Sequence, residues 1–302
     1  MSTRRPLKEG YLIKGYTIGE VLGGGGFSIV YLARNELSRN KFVIKEYCPQ
    51  GLVERGRQGE LETTGALAES TFKYGMGRFR LEAERMVKVN HPNLIGIEEY
   101  FEANNTIYMV MHHEEGRDLN WFISKFGGNL DWDFLQRVFP AIGSGLWLMH
   151  QQDVVHLDIK PANILLRTNG QPLLLDFGAA KTIGESKRLN SLQTLTHGFA
   201  PPEQYLDGDL NITTDIYAFA ATIYNCITGR TPASAMKRRS GELIEKLVFT
   251  RRDSYPYPLL QTVEAALSLN QEERPPDMRS FISLAFEVDI GATESAGTAV
   301  NA

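Results

Sequence analysis

The stretch His156-Leu157-Asp158-Ile159-Lys160-Pro161-Ala162-Asn163, followed by Asp176-Phe177-Gly178, brings carboxylates, an amide and an ammonium into one short span. Between its two parts, the runs 164–167 and 172–175 flank Asn169-Gly170, a strong hairpin signal. A hairpin there returns the chain on itself and sets Asn163 beside Asp176. Two adjacent oxygen donors make a site for a hard divalent cation. Asp158, with Lys160 nearby, then offers a base and a charge stabiliser for a transferring phosphoryl group. A loop of merely solvated charges leaves this alignment of donors unexplained.

A second group of candidates lies upstream. Gly23-Gly24-Gly25-Gly26 separates β-prone runs at 16–22 and 29–33. Glycines between strands let the backbone fold tightly and bring N–H groups close to phosphate oxygens. No Gly-Lys-Ser/Thr follows and the next element is a strand, so this is not a Walker loop. A third run, 41–47, carries Phe42-Val43-Ile44-Lys45. Lysine on a strand is ordinarily a solvated edge residue, and a phosphate-holding lysine needs a carboxylate to orient it. Glu82 shares a helical face with Phe79 and Met86, so it faces inward, and an inward carboxylate needs a cationic partner. Lys45 is the candidate partner, while Glu84 competes with Glu82 on spacing alone.

The elements that must position these residues fall into two halves. The first half reads as strands, with 51–69 a polar insertion or loop and 95–100 and 106–111 two further strands. In between, Phe72, Met76, Phe79, Ala83 and Met86 recur at helical steps, although Gly75 and Gly77 weaken the first turns. From residue 119 onward the pattern is helical. Leu135, Val138, Ile142, Leu146 and Met149 form a stripe that Pro140 is expected to kink. Residues 214–228 are apolar almost all round, with Gly229 as C-terminal cap, and shorter helices are expected at 259–267 and 277–286. The resulting division is an N-terminal extension at 1–15, a small lobe at 16–111, a hinge at 112–118, a large lobe at 119–288 and a disordered tail or linker at 289–302.

Composition narrows the function classes. With 302 residues, 42% hydrophobic and 23% charged, the chain can bury a sizeable core. A net charge of −4 supplies no cationic field for nucleic acid or an anionic membrane. Cys48 and Cys226 stand far apart without metal-ligand spacing, which argues against a disulfide framework or zinc site and for a reducing compartment. No run of about 18 apolar residues and no signal peptide is visible, so a cytoplasmic location is expected.

These motifs, in this order, resemble the eukaryotic-type (Hanks-type) protein serine/threonine kinase catalytic domain, from Tyr16 to Phe286. The resemblance implies an α+β bilobal fold, with a small antiparallel sheet lobe carrying one main helix and a larger, mostly helical lobe. It implies transfer of the γ-phosphate of ATP, with Mg²⁺ or Mn²⁺, to protein Ser/Thr hydroxyls. Asp158 matches the catalytic base, Lys160 the γ-phosphate contact, and Asn163 and Asp176 the metal ligands. Lys45 matches the lysine that holds the α- and β-phosphates, with Glu82 as its partner. Gly23-x-Gly25-x-x-Ser28-x-Val30 follows the nucleotide loop, with Ser28 at the third glycine. Met111 falls at the gatekeeper position, His112 and Glu114 at the hinge groups that read adenine, and Asp118 near the ribose. Val43 and Leu165 join this nucleotide-binding set.

Further along, Pro201-Pro202-Glu203 resembles Ala-Pro-Glu, Arg274 matches the salt-bridge partner of Glu203, and Asp215 matches the anchor on the large lobe's central helix. Thr196 aligns with the threonine that bonds the catalytic aspartate and lysine, which together with Lys160 indicates the Ser/Thr class. The block 43–49 with its insertion, and 199–205, are similar to bacterial members, some of them associated with type VI secretion systems. The implied partners are proteins presenting Ser or Thr, autophosphorylation included, with no nucleic acid and no membrane contact from this segment. The implied location is cytoplasmic, either as a free protein or as the cytoplasmic domain of a larger, membrane-anchored one.

Leu157 departs from the pattern, replacing the arginine before the catalytic aspartate. Leucine cannot bind an activation-loop phosphate, so activity independent of loop phosphorylation is expected, although Ser186, Ser191 and Thr194 remain available there. Adjacent His112 and His113 point in opposite directions on an extended segment and read as structural, and Lys237-Arg238-Arg239 reads as a solvated basic face. A nucleotide-binding pseudokinase predicts loss of Lys45, Asp158, Asn163 or Asp176, and none is lost. A small-molecule kinase normally lacks Pro202-Glu203 with a distal Arg274.

Overall fold

Strand pairing organises the front of the chain and helix packing the rest. A computed structural model describes residues 4–176, 181–182, 195–206 and 208–291. Phe177, Gly178, Ser186, Ser191 and Thr194 lie outside these residues. The chain forms two units, Met1–Asn90 with Ile95–Glu114, and His91–Leu94 with Glu115–Ala302.

The first unit holds β1 (Leu12–Ile13), β2 (Tyr16–Gly24), β3 (Ser28–Asn35), β4 (Lys41–Tyr47), β5 (Val53–Arg55), β6 (Leu61–Thr63), α1 (Ala66–Met86), β7 (Ile97–Ala103) and β8 (Thr106–His112). Six strands make one sheet in the order β1-β2-β3-β4-β8-β7, every neighbour antiparallel. Residues 51–69, expected to be a polar insertion or loop, contain the β5–β6 hairpin and the start of α1. Arg55 ties this hairpin to the rest of the unit. Arg55 donates to Glu46 Oε2 (2.5 Å), the Gly59 carbonyl (2.7 Å) and the Arg5 carbonyl (2.7 Å). Tyr31 and Tyr108 hydroxyls donate to the same carboxylate at 2.7 and 2.6 Å, and Glu46 is fully buried. Burial works against the charged form of Arg55, but Glu46 beside it holds the guanidinium above its ordinary value. The same burial raises both tyrosines further out of titration range.

Gly75 does not weaken α1 as its type suggests. A side chain there would collide with the Tyr47 hydroxyl, and the Tyr47 ring stacks on Phe72 at 5.4 Å. Glycine therefore lets the helix approach β4 closely.

The second unit contains β9 (Gly116–Asp118), α2 (Leu119–Phe126), α3 (Trp132–Gln151), β10 (Val154–Val155), β11 (Ile164–Arg167), β12 (Pro172–Leu174), β13 (Lys181–Thr182), α4 (Pro202–Tyr205), α5 (Ile212–Thr228), α6 (Ala235–Arg239), α7 (Leu247–Thr250), α8 (Tyr257–Ala266) and α9 (Met278–Phe286). α3 runs as one element through Pro140, because Leu135, Val138, Phe139, Ile142, Leu146 and Met149 are all buried along it. α5 is closed by a capping box at Asn211 and by Gly229 in the left-handed region (φ 70°). It is buried from Thr214 to Thr228 and forms the centre of this unit, with α3, α8 and α9 packed against it.

Candidate active site

In the first unit, sheet register decides which side chains share a surface. Val30 pairs with Gly23 on one side and Lys45 on the other, and Lys45 with Met109. One step along, Leu32 pairs with Val43 and Val43 with Met111. Directly opposed residues lie on one face, and so do residues two apart. Gly23, Val30, Val43, Lys45 and Met111 therefore occupy a single face of the sheet. Lys45 is 5% exposed and its ammonium lies 5.9 Å from the centre of the Phe79 ring on α1. Glu82 follows Phe79 by three residues and is buried on the same side of the helix, together with Met86. Glu84 turns instead toward Tyr100, whose hydroxyl it accepts at 3.2 Å. His112 donates its backbone N–H to Gly96 (3.2 Å), and its ring lies 3.4 Å from Glu98.

In the second unit, the expected hairpin forms. Leu165 pairs with Leu173 and Leu166 with Pro172, while Gly170 takes φ 83° and donates to the Arg167 carbonyl. The ladder continues one step past the strands, where Leu175 N–H donates to the Asn163 carbonyl at 2.7 Å. Asp176 is the next residue, with its backbone at φ 54°. On the other edge of β11, Asp118 stands opposite Leu165 and caps α2 through the Trp121 N–H.

The Asp158 carboxylate collects three donors. Lys160 Nζ lies 2.8 and 3.0 Å from its two oxygens, the Thr196 hydroxyl 2.9 Å away, and Asn163 Nδ2 3.0 Å away. Lys160 also donates to the Thr196 oxygen at 3.1 Å, so that hydroxyl accepts from the ammonium and donates to the carboxylate. Asn163 Nδ2 reaches the Asp158 carbonyl as well, at 2.8 Å. The amide nitrogen is thus committed inward, and the amide oxygen is the end not bound to Asp158. An amide oxygen and a carboxylate suit a hard divalent cation.

Beneath this network sits Asp215, in the first turn of α5. Its oxygens accept from His156 N–H (2.7 Å), Leu157 N–H (2.8 Å) and His150 Nε2 (2.9 Å). Burial alone would raise this carboxyl. His150, then His156 and its N–H, outweigh it and hold Asp215 below the ordinary aspartate value. The clamp supports an unusual backbone, since Leu157 is 5% exposed at φ 66°, a region that costs a branched residue roughly 1–3 kcal/mol. Gln204 closes the same loop by donating to the Leu157 carbonyl at 3.0 Å. The His156 ring accepts the Asp158 N–H on Nδ1 (3.3 Å), and its Nε2 lies 3.3 Å from the Leu175 carbonyl. This pattern assigns the proton to Nε2. Farther along, Arg274 grips Glu203 bidentately at 2.6 and 3.1 Å, both groups buried.

Sequence reasoning missed His150 and Gln204 and quoted His156 only as part of a motif. No periodicity marks them, because their partners lie tens of residues away in the chain.

Residues 16–291 match the protein kinase domain family. The chain belongs to the protein kinase family. The solved structure of PpkA-294 in its apo form superposes with a TM-score of 0.80 at 31% identity, covering 93% of this chain and 99% of that one. PrkC of Bacillus subtilis is 28% identical over 290 residues, 91% of this chain and 41% of PrkC. PknF of Mycobacterium tuberculosis is 27% identical over 234 residues, 75% of this chain and 45% of PknF. Both are serine/threonine-protein kinases by name, and this kinase chain spans less than half the length of each. The matches place it in the serine/threonine class of the family, beside bacterial members.

Proposed function

We propose that the chain is a working serine/threonine kinase domain that transfers the γ-phosphate of Mg-ATP to a protein hydroxyl. The observation that carries this reading is the Asp158 network, in which Lys160, Thr196 and Asn163 fix one carboxylate from three directions. In the proposed roles Asp158 accepts the acceptor hydroxyl's proton, and Lys160 offsets charge developing on the transferred group. Asn163 and Asp176 would hold a divalent metal, whose charge would offset that of the phosphates. Lys45, oriented by Glu82, takes the α- and β-phosphates, and the sheet face bearing Gly23, Val30, Val43 and Met111, with Gly25 in the turn beyond it, takes the nucleotide. His112 and Glu114 serve adenine through their backbone groups. Residues 112–118 act as the hinge. Thr196, Glu203, Asp215 and Arg274 hold the region that receives the protein substrate. Among the described residues no helix is long and apolar enough to cross a membrane. In this reading the domain works in the cytoplasm, free or as part of a larger protein.

The test is transfer from γ-labelled ATP to a Ser/Thr-containing protein acceptor, with Mg²⁺ and after chelation, followed by mapping of the modified residues. Metal-dependent label on Ser or Thr is expected, on the chain itself as well as on the acceptor. A chain that binds ATP but moves no label in any divalent metal sinks the proposal.

Leu157 supports a second prediction. Its buried aliphatic side chain offers no donor for a phosphate. A phosphatase-treated preparation, verified phosphate-free by mass, is expected to retain most of its initial rate. Inactivity restored only by phosphorylation at Ser186, Ser191 or Thr194 is the contrary result.

A further inference from the structure

The glycine-rich turn between β2 and β3 is held through its carbonyls, and one of the holds comes from outside the sheet. Gln50 N–H donates to the Gly26 carbonyl and Cys48 N–H to the Phe27 carbonyl, both at 2.8 Å. Arg4 Nη1 donates to the Gly25 carbonyl at 2.6 Å and to the Cys48 carbonyl at 2.9 Å. In a trans peptide the N–H lies opposite the preceding C=O. Fixing these three successive carbonyls therefore turns the N–H groups of Gly26, Phe27 and Ser28 away from their partners. A run of N–H groups displayed in this way suits an anion such as phosphate. Apart from its chain neighbours, nothing lies within 4 Å of where a side chain at Gly23, Gly25 or Gly26 would sit, whereas one at Gly24 would meet the Ser28 carbonyl and the Arg4 guanidinium, so the tip of the turn is open and Arg4 packs close to its base.

Arg4 is itself anchored. Leu7 is buried and its N–H donates to the Tyr31 hydroxyl at 3.0 Å, while the Arg5 carbonyl accepts from Arg55 Nε. Both tyrosine and arginine bind the buried carboxylate of Glu46, the neighbour of Lys45 in β4. Residues 4–7 thus form a strap whose far end is fixed in the core and whose near end grips the glycine turn.

We propose that Arg4 is a positioning residue for the nucleotide loop, holding its N–H groups in a phosphate-ready arrangement and so setting affinity for ATP. The proposal rests on the kinase reading above. Its test compares the full wild-type chain with Arg4→Ala and Arg4→Lys. The readouts are binding of ADP carrying a fluorescent ribose label, KM for ATP, KM for the protein acceptor, and the thermal midpoint. In Arg4→Ala, nucleotide affinity is expected to fall and KM for ATP to rise by about three- to tenfold. Acceptor KM and thermal midpoint stay at wild-type values, and Arg4→Lys, which keeps a cationic donor, recovers part of the loss. Unchanged nucleotide affinity in Arg4→Ala overturns the proposal. So does a loss shared equally by nucleotide and acceptor with a lowered midpoint, the mark of a merely structural strap. A wild-type chain that binds the labelled ADP without transferring phosphate defeats the kinase reading alone, because the Arg4 effect is still read on binding. A wild-type chain that binds no nucleotide overturns both.

Discussion

Asp158→Asn is expected to lower kcat by about 10²–10⁴-fold while leaving KM for ATP nearly unchanged. The carboxamide keeps the size of the side chain, and its oxygen can still accept from Thr196, so the loop retains its shape. What is lost is a group able to take the proton, and with it the ion pair to Lys160 at 2.8 Å. Asp176→Asn is the companion variant. It is also expected to lower transfer steeply, but through weaker metal binding, so its residual rate should climb with Mg²⁺ or Mn²⁺ concentration, whereas that of Asp158→Asn should not. Steady-state kinetics over a metal titration separates the two. Full activity in either variant removes the residue assignment on which the mechanism stands.

Asp215→Asn is expected to destabilise the fold by about 3 kcal/mol or more, measured by chemical denaturation. The carboxylate accepts from two backbone N–H groups and one imidazole. An amide in its place turns an NH₂ toward one of those donors, leaving both unsatisfied in a fully buried site. Activity should fall as well, because the same bonds hold Leu157 in the left-handed region one residue before Asp158. The pH dependence has a definite sign. The folded carboxyl is depressed, so its contribution is complete above about pH 4, the ordinary aspartate value. It disappears as pH falls below that toward the folded value. Acid unfolding of the wild type should therefore steepen below about pH 4, and that component should be missing from Asp215→Asn.

What the sequence discloses tracks how local the cause is. Asn169-Gly170 is a turn written in two adjacent residues, and its hairpin sets Asn163 opposite Leu175, the residue before Asp176. The strand carrying Lys45 and the cap at Gly229 are legible for the same reason. Choosing between Glu82 and Glu84 is not, since both fit a helical spacing, and it takes the burial of Glu82 beside Phe79 and the turn of Glu84 toward Tyr100 to separate them. The β5–β6 hairpin escapes notice because Arg55 and Glu46 look like solvated charges until the fold encloses them together. The strap at Arg4 and the ring of His150 are likewise tied to partners 21 to 65 residues away, a distance over which no pattern of types carries information.

The Asp215 clamp also bears on how this protein comes off the ribosome. His156 and Leu157 are synthesised 59 and 58 residues before the carboxylate that holds them. Until that much more chain has emerged and the buried helix has formed, the N–H groups of His156 and Leu157 lack the carboxylate that offsets the left-handed backbone there, and Gln204 alone can hold the loop, through the Leu157 carbonyl. With so long a loop to close late in synthesis, a nascent chain that contains Asp158 and Lys160 but not yet Asp215 is expected to be inert. Competence arrives only with the helix that begins at Ile212.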